Sequence, residues 1–173
     1  MSKKLLYKYT SIEALFEKLQ RDRNRVRKAI QNEDETDLCD HFFNFCVTAH
    51  ALRDWVIKSK SSLRSANAVH DACNSYQVLQ MCRDIANANK HFKLGKDQEK
   101  NKKTYSVFIF STPVFDIYED MNDGSISPIK RENLDIGIMG DDGVIYGTWE
   151  FADKVVEAWE DFFKKYGVKI SQS

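Results

Sequence analysis

The hydrophobic period of the chain changes at Lys103. Before it, apolar residues recur three and four apart, the spacing that lines one side of a helix. After it, Tyr105-Ser-Val-Phe-Ile-Phe opens a series of short, partly alternating segments rich in β-branched and aromatic residues, the pattern of strands. A helical period returns beyond Trp149. The expected fold class is therefore α+β. An N-terminal bundle of three main helices (10–95) precedes a small antiparallel β-meander (104–149). A C-terminal helix (151–167) packs back on the bundle. A chain of 173 residues can bury roughly 70% of its unfolded surface, so one domain spanning 1–173 is expected.

Met1 to Tyr9 reads as a short arm. The first helix is expected to open at a capping box, Thr10-x-x-Glu13, and to run to about Asn32. The acidic stretch Glu33 to Asp37 reads as a connection leading into a second helix, from about Leu38 to Lys58. Leu38, Phe42, Phe45, Ala49, Leu52 and Val56 give that helix a wide apolar stripe, so it should be central. A narrower stripe, His41, Asn44, Thr48 and Trp55, needs polar partners. His50, at the margin of the apolar face, reads as a structural histidine. Ala66 to Asn74 suggests a short helix. Ser75 is a plausible cap for the next helix, Tyr76 to Phe92, which Gly95 ends. The strands read as Tyr105–Phe110, Val114–Tyr118, Ile126–Lys130 (an edge strand, since Pro128 is tolerated there), Leu134–Met139 and Val144–Trp149. Hairpin turns are expected at Asn122-Asp-Gly124 and Gly140-Asp-Asp-Gly143. The last helix should span Phe151 to Tyr166.

The segment Cys82-Arg-Asp-Ile-Ala-Asn-Ala-Asn-Lys-His-Phe92 carries the chemistry. At about 100° per residue, Arg83, Asp84, Asn87, Lys90 and His91 fall in one polar stripe, opposite Val78, Met81, Cys82, Ile85, Ala88 and Phe92. A guanidinium and an imidazole on one face suit an anion, with phosphate the first candidate. Arginine can hold phosphate through two parallel hydrogen bonds, and histidine can move a proton near neutrality. On RNA these two groups suffice for metal-free cleavage, because the 2′-hydroxyl supplies the nucleophile. The basic loop Lys96 to Lys103 follows the stripe directly and could close over a bound anion.

An arginine, a polar follower, a spacer and a histidine on a helix of a small bundle resembles the motif of the HEPN superfamily. That superfamily includes many metal-independent RNases of toxin–antitoxin, phage-defence and CRISPR systems. The resemblance covers Thr10 to Phe92 and the last helix. The spacer here, Asp84 to Lys90, is longer than the family's pattern, and a sheet precedes the last helix. By that resemblance Arg83 and His91 would be catalytic, with Asp84 the polar follower. RNA would be the substrate, and a homodimer would share the site. On the residues' own chemistry, Asn87 and Lys90 would position substrate beside Asp84. The alternative is a non-catalytic interaction protein, of the accessory kind that phages and mobile elements encode. In that case the stripe is a structural hydrogen-bond network, in which Arg83 pairs with Asp84, Asp54 or Asp40.

Other chemistries are less well served. No four Cys or His converge in close pairs, so no metal site is expected, and no cofactor motif occurs. No glycine-rich phosphate loop is present. Cys39, Cys46, Cys73 and Cys82 form no CxxC pair and read as reduced, mostly buried thiols in a cytoplasmic protein. Lys3 and Lys4 are followed only by Leu5 and Leu6 before Lys8, which is no signal peptide. No apolar run reaches the ~20 residues of a membrane helix. Net charge is zero but divided. Residues 1–103 hold 20 Lys and Arg against 13 Asp and Glu, net +7, and the remainder is −7. Either the two halves attract each other, or the basic half, with Arg21, Arg23, Arg25, Arg27 and Lys28 on the first helix, tracks a nucleic acid.

Overall fold

The computed structural model describes residues 9–59, 62–63, 65–91, 102–119 and 126–170, without the side chains of 89–91, 105, 114–119 and 128–132. The expected Met1–Tyr9 arm (but for Tyr9), the Asn122–Gly124 turn, the Gly95 stop and all but Lys102 and Lys103 of the basic loop lie outside them. The described elements are five helices and a three-stranded antiparallel sheet: helices α1 (Ile12–Gln31), α2 (Glu35–Lys58), α3 (Ala66–Cys73) and α4 (Gln77–His91), strands β1 (Thr104–Glu119), β2 (Ile126–Gly140) and β3 (Ile145–Gly147), and helix α5 (Thr148–Lys165). This is the α+β order that the change of period implies.

The caps differ from the expected ones in instructive ways. Ser11, not Thr10, caps α1. Its backbone is extended and its Oγ accepts from the Ala14 amide at 3.1 Å, so the capping residue lies one position later. The acidic stretch is shared between turn and helix. Asp34 caps α2 and accepts from the Asp37 amide at 2.9 Å, while Glu35 and Asp37 occupy the first turn, where the helix dipole favours carboxylates. Glu33 takes the left-handed conformation (φ 55°) that reverses the chain between α1 and α2. Ser75 does not cap α4. Its hydroxyl donates to the Ala72 carbonyl at 2.7 Å and so closes α3 instead.

The expected strand pairs merge into single long strands. β1 pairs with β2 from Thr104↔Gly140 to Glu119↔Ile126, and β2 pairs with β3 over Gly137↔Gly147 to Met139↔Ile145, giving the order β1-β2-β3. Pro113 and Pro128 do not break the strands. Both lie in the part of the ribbon beyond β3, where, among the described residues, each strand has a neighbouring strand on one side only. The Gly140–Gly143 turn forms as expected, with the Gly140 amide donating to the Val144 carbonyl at 2.9 Å.

One core joins the layers. Leu38, Phe42, Phe45, Ala49, Leu52 and Val56 of α2 are buried, as their spacing implies, against α1, α4 and α5. Ile136 and Ile138 present the inner face of β2 to that core. α5 buries Phe151, Val155, Trp159, Phe162 and Phe163, and Phe16 of α1 meets Phe163 edge-on at 5.2 Å. α5 starts three residues earlier than expected because Asp135 of β2 reaches its first turn. Asp135 Oδ1 accepts from the Thr148 amide at 3.2 Å and from the Thr148 hydroxyl. A carboxylate from another element thus caps the helix, a contact that sequence spacing cannot reveal.

Candidate functional site

α4 carries the stripe singled out by its residue types. Met81, Cys82 and Ile85 are buried as expected, and Leu79 and Ala86 join them. Asp84 was expected on the open face and is instead buried. The reason is its carboxylate chemistry. Oδ2 accepts from the backbone amides of Lys103 (2.5 Å) and Thr104 (3.1 Å), which open β1. Oδ1 accepts from Arg83 Nε (3.0 Å) and Nη2 (2.7 Å). The Thr104 hydroxyl also donates to the Met81 carbonyl at 3.3 Å. Asp84 therefore fastens α4 to the first residue of the sheet, and both of its oxygens are committed.

Arg83 completes the clamp. Its Nη1 donates to Asn74 Oδ1 at 3.3 Å, at the end of α3, and its side chain is 20% exposed. It borders a cavity of about 10 Å³, with His50, Arg53, Gln80 and Trp159 among the other walls. That volume suits about one water molecule and no phosphodiester. Burial, and then the Arg53 guanidinium, lower the pKa of His50 to about 4, so it is neutral near pH 7. Asn87 is half-buried one turn along α4. The backbone of α4 includes positions 90 and 91, but the side chains of Lys90 and His91 lie outside the described residues. The structure thus brings together Arg83 and Asp84, with Asn74 as a third partner, and leaves the proposed acid–base partner unplaced.

Of the second polar stripe, Thr48 finds partners on α1. Asp22 is buried, its Oδ2 accepting from Thr48 Oγ1 at 2.8 Å and from Lys18 Nζ, its Oδ1 from Arg25 Nη1 at 2.7 Å. Sequence reasoning passed over this cluster, yet a signal exists. Asp22 stands in the series Leu15, Leu19, Asp22, Val26, where every other member is an apolar core residue. The remaining α1 arginines are also engaged: Arg23 meets Asp153 at 3.0 Å, Arg21 meets Glu17 at 3.6 Å, and Arg27 lies 4.9 Å from the Trp149 ring centre. The Arg23–Asp153 pair joins the basic half of the chain to the acidic half.

Larger cavities lie elsewhere among the described residues. One, of about 540 Å³, lies between β1 and the helices α2 and α4. Phe42, Phe43, Ile85, Val107, Phe108 and Ile109 supply most of its wall. Another, about 1020 Å³, lies between α1 and α5; Glu13, Glu17, Glu157, Glu160 and Asp161 outnumber Lys164 and Lys169 on its wall, so its net sign is wrong for phosphate. Cys46, Cys73 and Cys82 are buried free thiols. Burial pushes Cys73 up to about 12, and burial with Cys46 alongside raises Cys82 well above its ordinary value, so neither supplies a thiolate at neutral pH. Among the described residues, no group of three or more His, Cys, Asp or Glu is placed to hold a metal, and no helix is long and apolar enough to cross a membrane. No protein-family model, curated protein or solved structure matches the chain.

Proposed function

We propose that this chain is a non-catalytic interaction protein, in which Arg83 and Asp84 hold α4 to the sheet and the exposed side of the sheet meets the partner. The observation that carries this reading is the commitment of Asp84. Its four accepted hydrogen bonds leave no oxygen for a substrate, and the arginine beside it is aimed at Asp84 and Asn74 rather than at an open groove. A phosphate arriving at Arg83 would have to displace an ion pair whose carboxylate side chain is only 5% exposed. The basic face of α1 is similarly engaged with Glu17, Asp22, Asp153 and Trp149. These contacts favour an internal hydrogen-bond network over a HEPN-like RNA-cleaving site.

The test is RNA cleavage in EDTA by the full chain beside Arg83→Ala and His91→Ala. The expected result is no cleavage by wild type above the level of either variant, with Arg83→Ala less stable to heat. Cleavage that leaves 2′,3′-cyclic phosphate ends, made by wild type and lost in both folded variants, overturns the proposal. That outcome would restore the metal-independent ribonuclease with Arg83 and His91 as its catalytic pair.

A further inference from the structure

We infer that the small cavity beside Arg83 is a binding site for one monatomic anion, chloride being the abundant candidate, held where α2, α4 and α5 meet the end of α3. The site lies among the helices and is independent of the sheet as an interaction surface.

Among the described residues, three buried side-chain nitrogens have no hydrogen-bond partner: Arg23 Nε, Arg53 Nε and the indole Nε1 of Trp159. The last two belong to residues that wall this one cavity, Arg53 from α2 and Trp159 from α5. Trp159 is only 1% exposed, so bulk water does not serve its N–H. A buried N–H without an acceptor is costly enough that folded proteins rarely keep one. Two such groups on the wall of one cavity point to a guest that accepts from both.

The volume limits the guest. A cavity of about 10 Å³ takes one body of about a water's size. That excludes phosphate, sulfate and organic anions, and leaves a water or a single ion. Charge separates the two. The described wall carries two guanidiniums, Arg53 and Arg83, and no carboxylate. Arg83 is balanced by buried Asp84. Arg53 reaches only Asp54, at 3.4 Å, and that carboxylate is 57% exposed, so the Arg53 charge is weakly balanced. Near pH 7, Cys73 stays a neutral thiol and His50 a neutral imidazole, so neither adds negative charge. Asn74 is already in use as an acceptor, its Oδ1 taking Arg83 Nη1 at 3.3 Å and its carbonyl taking Gln80 Nε2 at 2.7 Å. A water must find acceptors for its own two hydrogens, whereas an anion needs donors alone. Donors backed by positive charge are what this wall offers in excess. An ion held there ties four helices together, and folding becomes linked to chloride by mass action.

Thermal denaturation of the full chain at pH 7 tests the site, with sodium gluconate exchanged stepwise for sodium chloride at constant ionic strength. The variants are Arg53→Met, Trp159→Phe and, as a control, Arg23→Met, which also removes a partnerless Nε but lies outside the cavity. The expected result is a wild-type Tm that rises by about 3–6 °C once chloride is about tenfold above its Kd. Arg23→Met should show the same rise, and the other two variants less than about 1 °C. Circular dichroism checks folding, and Arg53→Met carries the test if Trp159→Phe fails to fold. Crystals grown in sodium bromide give a direct readout, an anomalous peak in the cavity within hydrogen-bond reach of Trp159 and Arg53. A Tm indifferent to chloride up to molar concentration, a rise retained in Arg53→Met, or one lost in Arg23→Met overturns the site. A cavity without bromide holds a water and overturns it as well. A bromide peak with no shift in Tm is an adventitious ion only and does the same.

Discussion

Replacing Asp84 with alanine is the most direct perturbation of the α4–β1 clamp. The substitution breaks a buried ion pair, which costs roughly 3–5 kcal/mol where the remaining charge stays buried. It also strips the acceptor from the Lys103 and Thr104 amides, at roughly 1–3 kcal/mol for each amide left dry. Two features of the structure reduce these figures. Arg83 keeps 20% of its side chain in solvent, and Asp84 borders the 540 Å³ cavity, through which water can reach the exposed amides. The low ends then apply, about 3 kcal/mol for the pair and about 1 for each of the two amides; because both figures include the same desolvation, the total falls below their sum, to about 4 kcal/mol. For a domain of this size that is a fall in Tm of about 8–16 °C. Asp84→Asn keeps the shape and one acceptor but loses the charge, and should cost about 2 kcal/mol. Thermal denaturation by circular dichroism gives both values, and amide exchange at Thr104 reports the local effect, with protection lost in Asp84→Ala. If Asp84→Ala lowers Tm by less than about 3 °C with Thr104 still protected, the carboxylate is not a clamp. Asp84 would then be available to a ligand.

Two further outcomes follow from the titrating groups. Burial and Arg53 depress the pKa of His50 from 6.5 to about 4, so the unfolded chain binds the His50 proton more readily than the folded one. Its contribution to stability is therefore complete above pH 6.5 and declines as pH falls from 6.5 towards 4, by up to about 3 kcal/mol. His50→Gln should flatten that part of the Tm–pH curve relative to wild type, and parallel curves would refute the assignment. Among the cysteines, Cys39 is half-buried and Cys46, Cys73 and Cys82 are buried. Iodoacetamide at pH 8 should modify Cys39 alone in the native protein, more slowly than a free thiol, since burial and then Glu35 and Asp40 raise its pKa. All four should react in denaturant. Mass spectrometry counts the adducts, and a second native adduct would contradict the packing.

The sequence disclosed the order of layers because period is a property of single elements. The α2 stripe from Leu38 to Val56 and the α5 stripe from Phe151 to Phe163 need only a hydrophobic partner, and any partner buries them alike. Strand length was less legible. Ser111-Thr-Pro113 and Arg131-Glu-Asn133 look like loops by composition. They remain in β1 and β2 because they face each other across the ladder (Ser111↔Leu134, Thr112↔Asn133, Pro113↔Glu132, Val114↔Arg131), where each supplies the other's pairing. Pairing of that kind is a long-range contact, invisible to a local window.

The polar residues were the least legible, and Asp84 gives the reason. On a helical wheel it lies about 40° from Ala88, within reach of either face. A wheel treats charge as solvent-seeking, so it assigns Asp84 to the stripe with Arg83 and His91. Whether a marginal carboxylate is exposed depends on what covers it, and here that is a strand start presenting two amides in need of an acceptor. Asp22 and Asp135 repeat the case, the first held by Lys18, Arg25 and Thr48, the second by the start of α5. Each of the three sits where two elements meet, and each satisfies donors that belong to its neighbour. An acid in or beside an apolar stripe is therefore better read as evidence of a junction than as a member of a binding face.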